Sequence, residues 1–200
     1  MEEKKQSFNP CLPSYEYVPD VEPRVFGDRI YLYGSHDRFR GAEYCLNDYV
    51  CYSADVHNLA EWRYEGIIYR KEQDPRNRKR GNSLFIPKPG RFAYAKRTPG
   101  DLNPPGVHAL WAPDVIRGSD GRYYLYYCLD YLPQIAVAVC NVPAGKYEYR
   151  GMVRHPDETG RVTALNLIPV FLWMKMAEFI FIPDRHFGSR QKTMERSARR

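Results

Sequence analysis

The same opening occurs twice in this chain, and that repetition restricts the fold more than any other feature. Pro19-Asp20-Val21 leads through a short apolar stretch to Gly27-Asp28-Arg29-Ile30-Tyr31-Leu32-Tyr33. Pro113-Asp114-Val115 leads in the same manner to Gly121-Arg122-Tyr123-Tyr124-Leu125-Tyr126-Tyr127. Each opening is followed by a further strand pair: 48–53 with 62–66, then 135–140 with 147–151. A repeated unit of four short strands is the mark of a β-propeller blade. The innermost strands of a propeller line its axis. The Asp that opens each copy is therefore expected at an equivalent place, with Asp20 and Asp114 converging there. Two converging carboxylates suggest sugar chemistry.

The strands read as 22–26, 29–34, 49–54 and 62–69 in the first copy. In the second they read as 112–117, 123–128, 134–140 and 147–153. Gly27-Asp28 is a strong hairpin signal, Ser119-Asp120-Gly121 marks the corresponding turn, and Asn58-Leu59 is expected in the turn before the fourth strand. Between the copies, about 76–104 reads as an insertion rich in Pro, Gly and basic residues, long for a compact domain. It contains a hairpin candidate at 83–86 and 91–94.

Composition excludes several function classes. The net charge of +6 is concentrated in Arg76-Asn77-Arg78-Lys79-Arg80 and after Arg185. Neither cluster comes with zinc-ligand spacing or a nucleic-acid fold signature, so solvated loops are expected and no nucleic-acid partner. The five cysteines, Cys11, Cys45, Cys51, Cys128 and Cys140, match no disulfide framework. Most lie in strands, where Cys behaves as a small hydrophobe. Residues 1–6 lack an apolar signal-peptide core. The apolar run 165–182 is interrupted by Lys175 and Glu178, so no membrane partner is expected. A cytoplasmic protein follows as the expectation.

After residue 157 the Tyr-rich alternation stops, and 158–200 reads as an aberrant, poorly ordered tail. The genetic code offers a reason. When the third base of each codon for 166–184 is joined to the first two bases of the next, the allowed codons spell Phe-Asp-Pro-Gly-Val-Phe-Val-Asp-Glu-Asp-Gly-Arg-Ile-Tyr-Phe-Tyr-Ser-Gly. Trp173, Met174 and Met176 have one codon each, which constrains the choice. The shifted peptide is a third copy of the opening: Asp-Pro, an apolar strand, an Asp-Gly turn and a Tyr-rich strand. The tail is therefore expected to be a reading-frame error, and a chain ending on two blades is expected to be poorly stable.

These motifs resemble glycoside hydrolase family 43. Asn9-Pro10, Pro19-Asp20 and the run 27–37 resemble its opening, and Trp111-Ala112-Pro113-Asp114 matches its second motif over a resemblance that spans about residues 9–156. The usual pattern after the first Asp is Pro, where this chain has Val21. The resemblance implies an all-β chain, the first two blades and a remnant of a five-bladed propeller, with the family's N-terminal part at 1–157. It implies an inverting hydrolase of β-xylosides or α-L-arabinofuranosides, acting on xylo- or arabino-oligosaccharides. By resemblance Asp20 is the general base and Asp114 the auxiliary Asp that orients the acid and raises its pKa. The acid is a Glu from a later blade with no counterpart here, so this chain is expected to be truncated and inactive. Glu22 competes with Asp20 for the base, since it too precedes a Pro. Trp111, His108, His36 and Asp37 are expected to contact substrate. No cofactor is expected; some relatives hold a structural calcium, for which no ligand set is legible here. Alternatives are a non-catalytic carbohydrate-binding fragment and another five-bladed glycosidase such as a fructan hydrolase.

Overall fold

The computed structural model describes residues 9–78, 103–104, 106–130 and 132–154. They form eight strands in two four-stranded sheets. The first sheet runs β1 (Glu22–Phe26), β2 (Arg29–Gly34), β3 (Tyr49–Asp55) and β4 (Asn58–Tyr69). A 3-10 turn (Lys71–Gln73) and one helical turn, α1 (Pro75–Arg78), follow it. The second sheet runs β5 (Leu110–Arg117), β6 (Tyr123–Leu129), β7 (Leu132–Cys140) and β8 (Glu148–Met152). Both sheets are antiparallel meanders in sequence order, the build of two successive propeller blades.

Alternating side chains give each sheet two faces. Tyr31, Tyr33 and Cys51 of the first sheet pack with Tyr123, Leu125 and Tyr127 of the second, forming the main core. Leu32, Val50 and Tyr52 point the other way, and Leu12, Val18 and Val21 of the leading segment lie over them. Tyr124, Tyr126 and Val137 lie on the face of the second sheet turned away from the first.

Hydrogen bonds stitch the two sheets. Tyr33 donates to the carbonyl of Pro143 at 2.9 Å, and the Tyr147 amide donates to Ile68 at 2.9 Å. Tyr127 donates to the buried carboxylate of Asp74 at 2.7 Å and pairs with the Tyr69 hydroxyl at 2.8 Å. Arg76 closes on the same carboxylate at 2.7 Å. Burial pushes the Tyr69 and Tyr127 hydroxyls far above the ordinary tyrosine range, so both stay protonated donors.

Three expectations are corrected. The β3–β4 turn is centred on Val56-His57, because Asp55 pairs with Asn58 and the Asp55 carboxylate accepts the His57 amide at 2.8 Å. Asn58 and Leu59 therefore belong to β4. Residues 71–78, where the sequence was read as the start of a long connection and no helix was expected, hold the two helical turns. The two Asp residues are also not register equivalents. Phe26 pairs with Arg29 across a two-residue turn, whereas Arg117 pairs with Tyr123 across five residues, Gly118 to Arg122. The longer turn offsets the counting. Asp114 stands opposite Tyr126, and the residue opposite its counterpart Tyr33 is Glu22. Asp20 lies ahead of β1. The hairpin candidate in the insertion and the tail after 157 lie outside the described residues.

Candidate active site

The site begins with an irregularity in β5. Trp111 pairs with Cys128 and Asp114 with Tyr126, so three steps on β5 oppose two on β6. The extra residue is a bulge, which bends a strand and re-aims its side chains. Ala112 within it has φ 40°, a left-handed value uncommon for a residue with a Cβ. The first sheet fixes the bulge at two points. Ala112 N–H donates to the buried Ser35 hydroxyl at 3.0 Å, and the Tyr49 hydroxyl donates to the Trp111 carbonyl at 2.8 Å.

The bulge presents Asp114 to Arg24 of β1. Asp114 is fully buried. Its Oδ1 accepts Arg24 Nε at 2.7 Å and the Val115 amide at 2.7 Å, and its Oδ2 accepts the Arg24 Nη2. The pair joins residues 90 positions apart. Glu22, two residues before Arg24 and on the same face of β1, feels this pair. Burial and the Asp114 charge raise its pKa, against the opposing pull of Arg24.

Asp20 is exposed, in the left-handed region at φ 53°. Its charge adds a small upward push to the pKa values of Cys45, Tyr49 and Cys128. Burial pushes the Cys45 thiol up to about 12 and the Cys128 thiol up to about 11, so neither is a thiolate nucleophile at neutral pH. Cys45 is itself left-handed at φ 54°. Asp20, Cys45 and Ala112 are three of the four non-glycine residues with positive φ among the described residues. Such backbone persists where the surroundings over-determine it.

The other expected site residues are engaged in holding the loops. The Asp37 carboxylate accepts the Cys45 amide at 2.6 Å, and its carbonyl accepts Asn47 Nδ2 at 2.8 Å. His36 Nε2 pairs with Glu16 at 3.1 Å. His108 is buried with Nδ1 2.9 Å from the Asp130 carbonyl and 3.3 Å from its carboxylate, whose hydrogen bond raises the imidazole pKa. Trp111 is half-buried against the second sheet. Sequence reading missed Arg24, Ser35 and Asp130; no local pattern marks them, because their partners come from the other repeat or from across a hairpin. No group of three or more His, Cys, Asp or Glu among the described residues is placed to hold a metal ion.

The chain is 54% identical over 156 residues to a xylosidase/arabinosidase of Thermoclostridium stercorarium, an alignment covering 78% of this chain and 28% of that protein. The chain is a glycoside hydrolase family 43 homologue. It is 27% identical over 142 residues to xylosidase/arabinosidase 43A of Humicola insolens, covering 66% of this chain and 34% of that protein. This homologue therefore spans about a third or less of the length of the curated relatives it matches. Similar solved structures include a GH43_1 enzyme from Xanthomonas citri complexed with xylotriose, at 24% identity and TM-score 0.47, covering 68% of this chain and 32% of that one. An exo-β-1,3-galactanase from Clostridium thermocellum matches at 16% identity and TM-score 0.46, covering 76% and 26%. No protein-family model matches the chain.

Proposed function

We propose that this chain carries the base half of an inverting glycosidase of β-xylosides or α-L-arabinofuranosides. The observation that carries the reading is the 54% identity to a xylosidase/arabinosidase over 156 residues. Asp20 is the general base in this reading. It is exposed, where a water can reach it. Asp114 is the fixed negative charge that orients the acid and raises its pKa. An inverting pair stands about 6.5–9.5 Å apart, leaving room for the attacking water. The acid belongs to a later repeat of a complete propeller of five blades. Trp111 offers a ring face to the sugar, while His36, Asp37 and His108 hold the loops around it. A cytoplasmic setting fits five unpaired cysteines.

A second reading is sugar binding without turnover. The Arg24 guanidinium on both oxygens of Asp114 favours it, since that carboxylate is already engaged. The test uses the purified chain with dinitrophenyl β-xyloside and dinitrophenyl α-L-arabinofuranoside, whose leaving group departs without an acid, and with xylotriose in a calorimeter. Turnover lost in both Asp20→Asn and Asp114→Asn supports the hydrolytic reading. Binding of xylotriose without turnover, weakened by Asp20→Asn, supports the second. Neither turnover nor binding overturns both.

A further inference from the structure

Phe39 stands in the open, although most large apolar side chains of the described residues are inside. It is 64% exposed, and Tyr17, whose ring it stacks on, is 40% exposed. The two ring centres are 5.9 Å apart and the planes differ by 22°. The Arg40 guanidinium lies 5.1 Å from the Phe39 ring centre. The backbone holds the pair in place. Residues 38–41 form a tight turn, with the Gly41 amide donating to the Arg38 carbonyl at 2.9 Å. Arg40 is left-handed at φ 58°, the fourth non-glycine residue of that kind. The turn rests on the buried Leu46, so closely that a Cβ on Gly41 would lie 2.5 Å from Leu46 Cδ1. Both ends of the loop are tied. The Asp37 amide donates to the Tyr17 carbonyl at 2.8 Å, and the Asn47 amide donates to the His36 carbonyl at 3.0 Å. Tyr17 and Phe39 are thus joined through the backbone as well as through their rings.

Asp20 follows Tyr17 by three residues, a span of at most about 10 Å. Exposed apolar surface on a folded chain marks a binding site when it is localised. Residues 36–45 contain no Val, Ile, Leu or Met, and Asp37, Arg38, Arg40 and Glu43 surround the ring in sequence. An aromatic step set among charges is too small for a stable protein partner, which needs roughly 1,000 Å². It suits a sugar ring, whose C–H face packs on an aromatic face while its hydroxyls reach polar neighbours. Arg40 carries five N–H donors on a long jointed stem, able to turn from the ring to those hydroxyls. We propose that Tyr17 and Phe39 form an aromatic platform that seats the sugar unit next to the one held at Asp20 in a xylo-oligosaccharide. The loop that carries His36 and Asp37 then meets substrate through its tip, while those two residues hold its base. The choice of sugar rests on the reading given under the proposed function.

Calorimetry of the whole chain with xylotriose tests the platform. Phe39→Leu is expected to weaken binding about tenfold, the size of a lost aromatic contact. Phe39→Tyr keeps the ring and is expected to keep the native affinity. Phe39 is mostly outside the fold, so equal urea midpoints for the three chains are expected alongside. Contact is read directly in the native chain. The Phe39 ring signals in NMR, identified by their loss in Phe39→Leu, are expected to shift as xylotriose is added. Native affinity in Phe39→Leu, or ring signals that do not move, overturns the platform. So does a native chain that binds no xylotriose. Self-association in sedimentation that Phe39→Leu abolishes overturns it in favour of a second copy as the occupant. Turnover separates this proposal from the hydrolytic reading. Binding that depends on Phe39 without any turnover removes hydrolysis and leaves the platform, whereas turnover with binding indifferent to Phe39 removes the platform alone.

Discussion

Single residues set the electrostatics of the site. Asp114 is buried with Arg24 as its counter-charge, and Arg24 itself is 38% exposed. Breaking a buried pair from one side leaves an uncompensated charge and costs about 3–5 kcal/mol. Partial exposure of Arg24 lets water screen part of this, so Arg24→Ala is expected to cost about 2–3 kcal/mol. In an Asp114→Asn background the same change is expected to cost well under half as much; urea unfolding of the four chains of the cycle measures the difference. Equal costs in both backgrounds exclude the pair as a stabilising contact. His108 works with the opposite sign to a depressed carboxylate. Asp130 raises its folded pKa above the ordinary 6.5, so the folded state holds the proton more tightly. The contribution is fully present below pH 6.5 and is lost as pH rises through the folded value. His108→Gln is expected to flatten the stability–pH curve over that window, as read by unfolding midpoints at successive pH values. None of these partners was legible in the sequence. A counter-charge 90 positions away leaves no local trace, and Glu22 was visible only as a residue before a proline.

At the scale of elements, the sequence showed most of the strands and their order. Period-two alternation marks a strand where one face is buried, as in β1, whereas β3 and β6 are buried on both faces and were marked by their Tyr-rich composition and flanking turns. The sequence was less informative where connections differ in length. Turns of two and five residues separate otherwise matched strands, so counting from Pro19-Asp20 and from Pro113-Asp114 placed the two carboxylates at one level. Only the pairing register shows Glu22 there instead. The segment that carries Asp20 is held by a close approach to β2. A Cβ on Gly34 would lie 2.6 Å from Val18 Cγ1 and 2.9 Å from the Pro19 carbonyl. Gly34→Ala is expected to cost about 1–3 kcal/mol by overpacking and to displace the segment bearing Asp20. A lower unfolding midpoint, together with altered backbone NMR shifts at residues 18–21, is the check; unchanged shifts there would separate Gly34 from the placement of Asp20.

The whole molecule is held by hydroxyls that cross between the sheets. Tyr127 reaches both Asp74 and Tyr69 from inside the core. Tyr127→Phe keeps the ring and removes the only atom that makes these contacts, leaving the Tyr69 hydroxyl without this partner. A loss of about 1–3 kcal/mol is expected, the penalty for stranding buried polar groups. Unfolding followed separately by tryptophan fluorescence and far-ultraviolet circular dichroism checks that the two sheets still melt together.

Leu12, Val18 and Val21 of the leading segment cover the face of the first sheet that carries Leu32, Val50 and Tyr52. Stripped of that cover, the face would offer water a contiguous apolar patch, and such patches bring molecules together. With residues 9–18 removed, light scattering is expected to rise steeply with protein concentration. For the intact chain it should stay flat; equal scattering from the two would show that the segment does not shield the sheet. A short leader of this kind acts as a sleeve that keeps one flank of the protein from its neighbours.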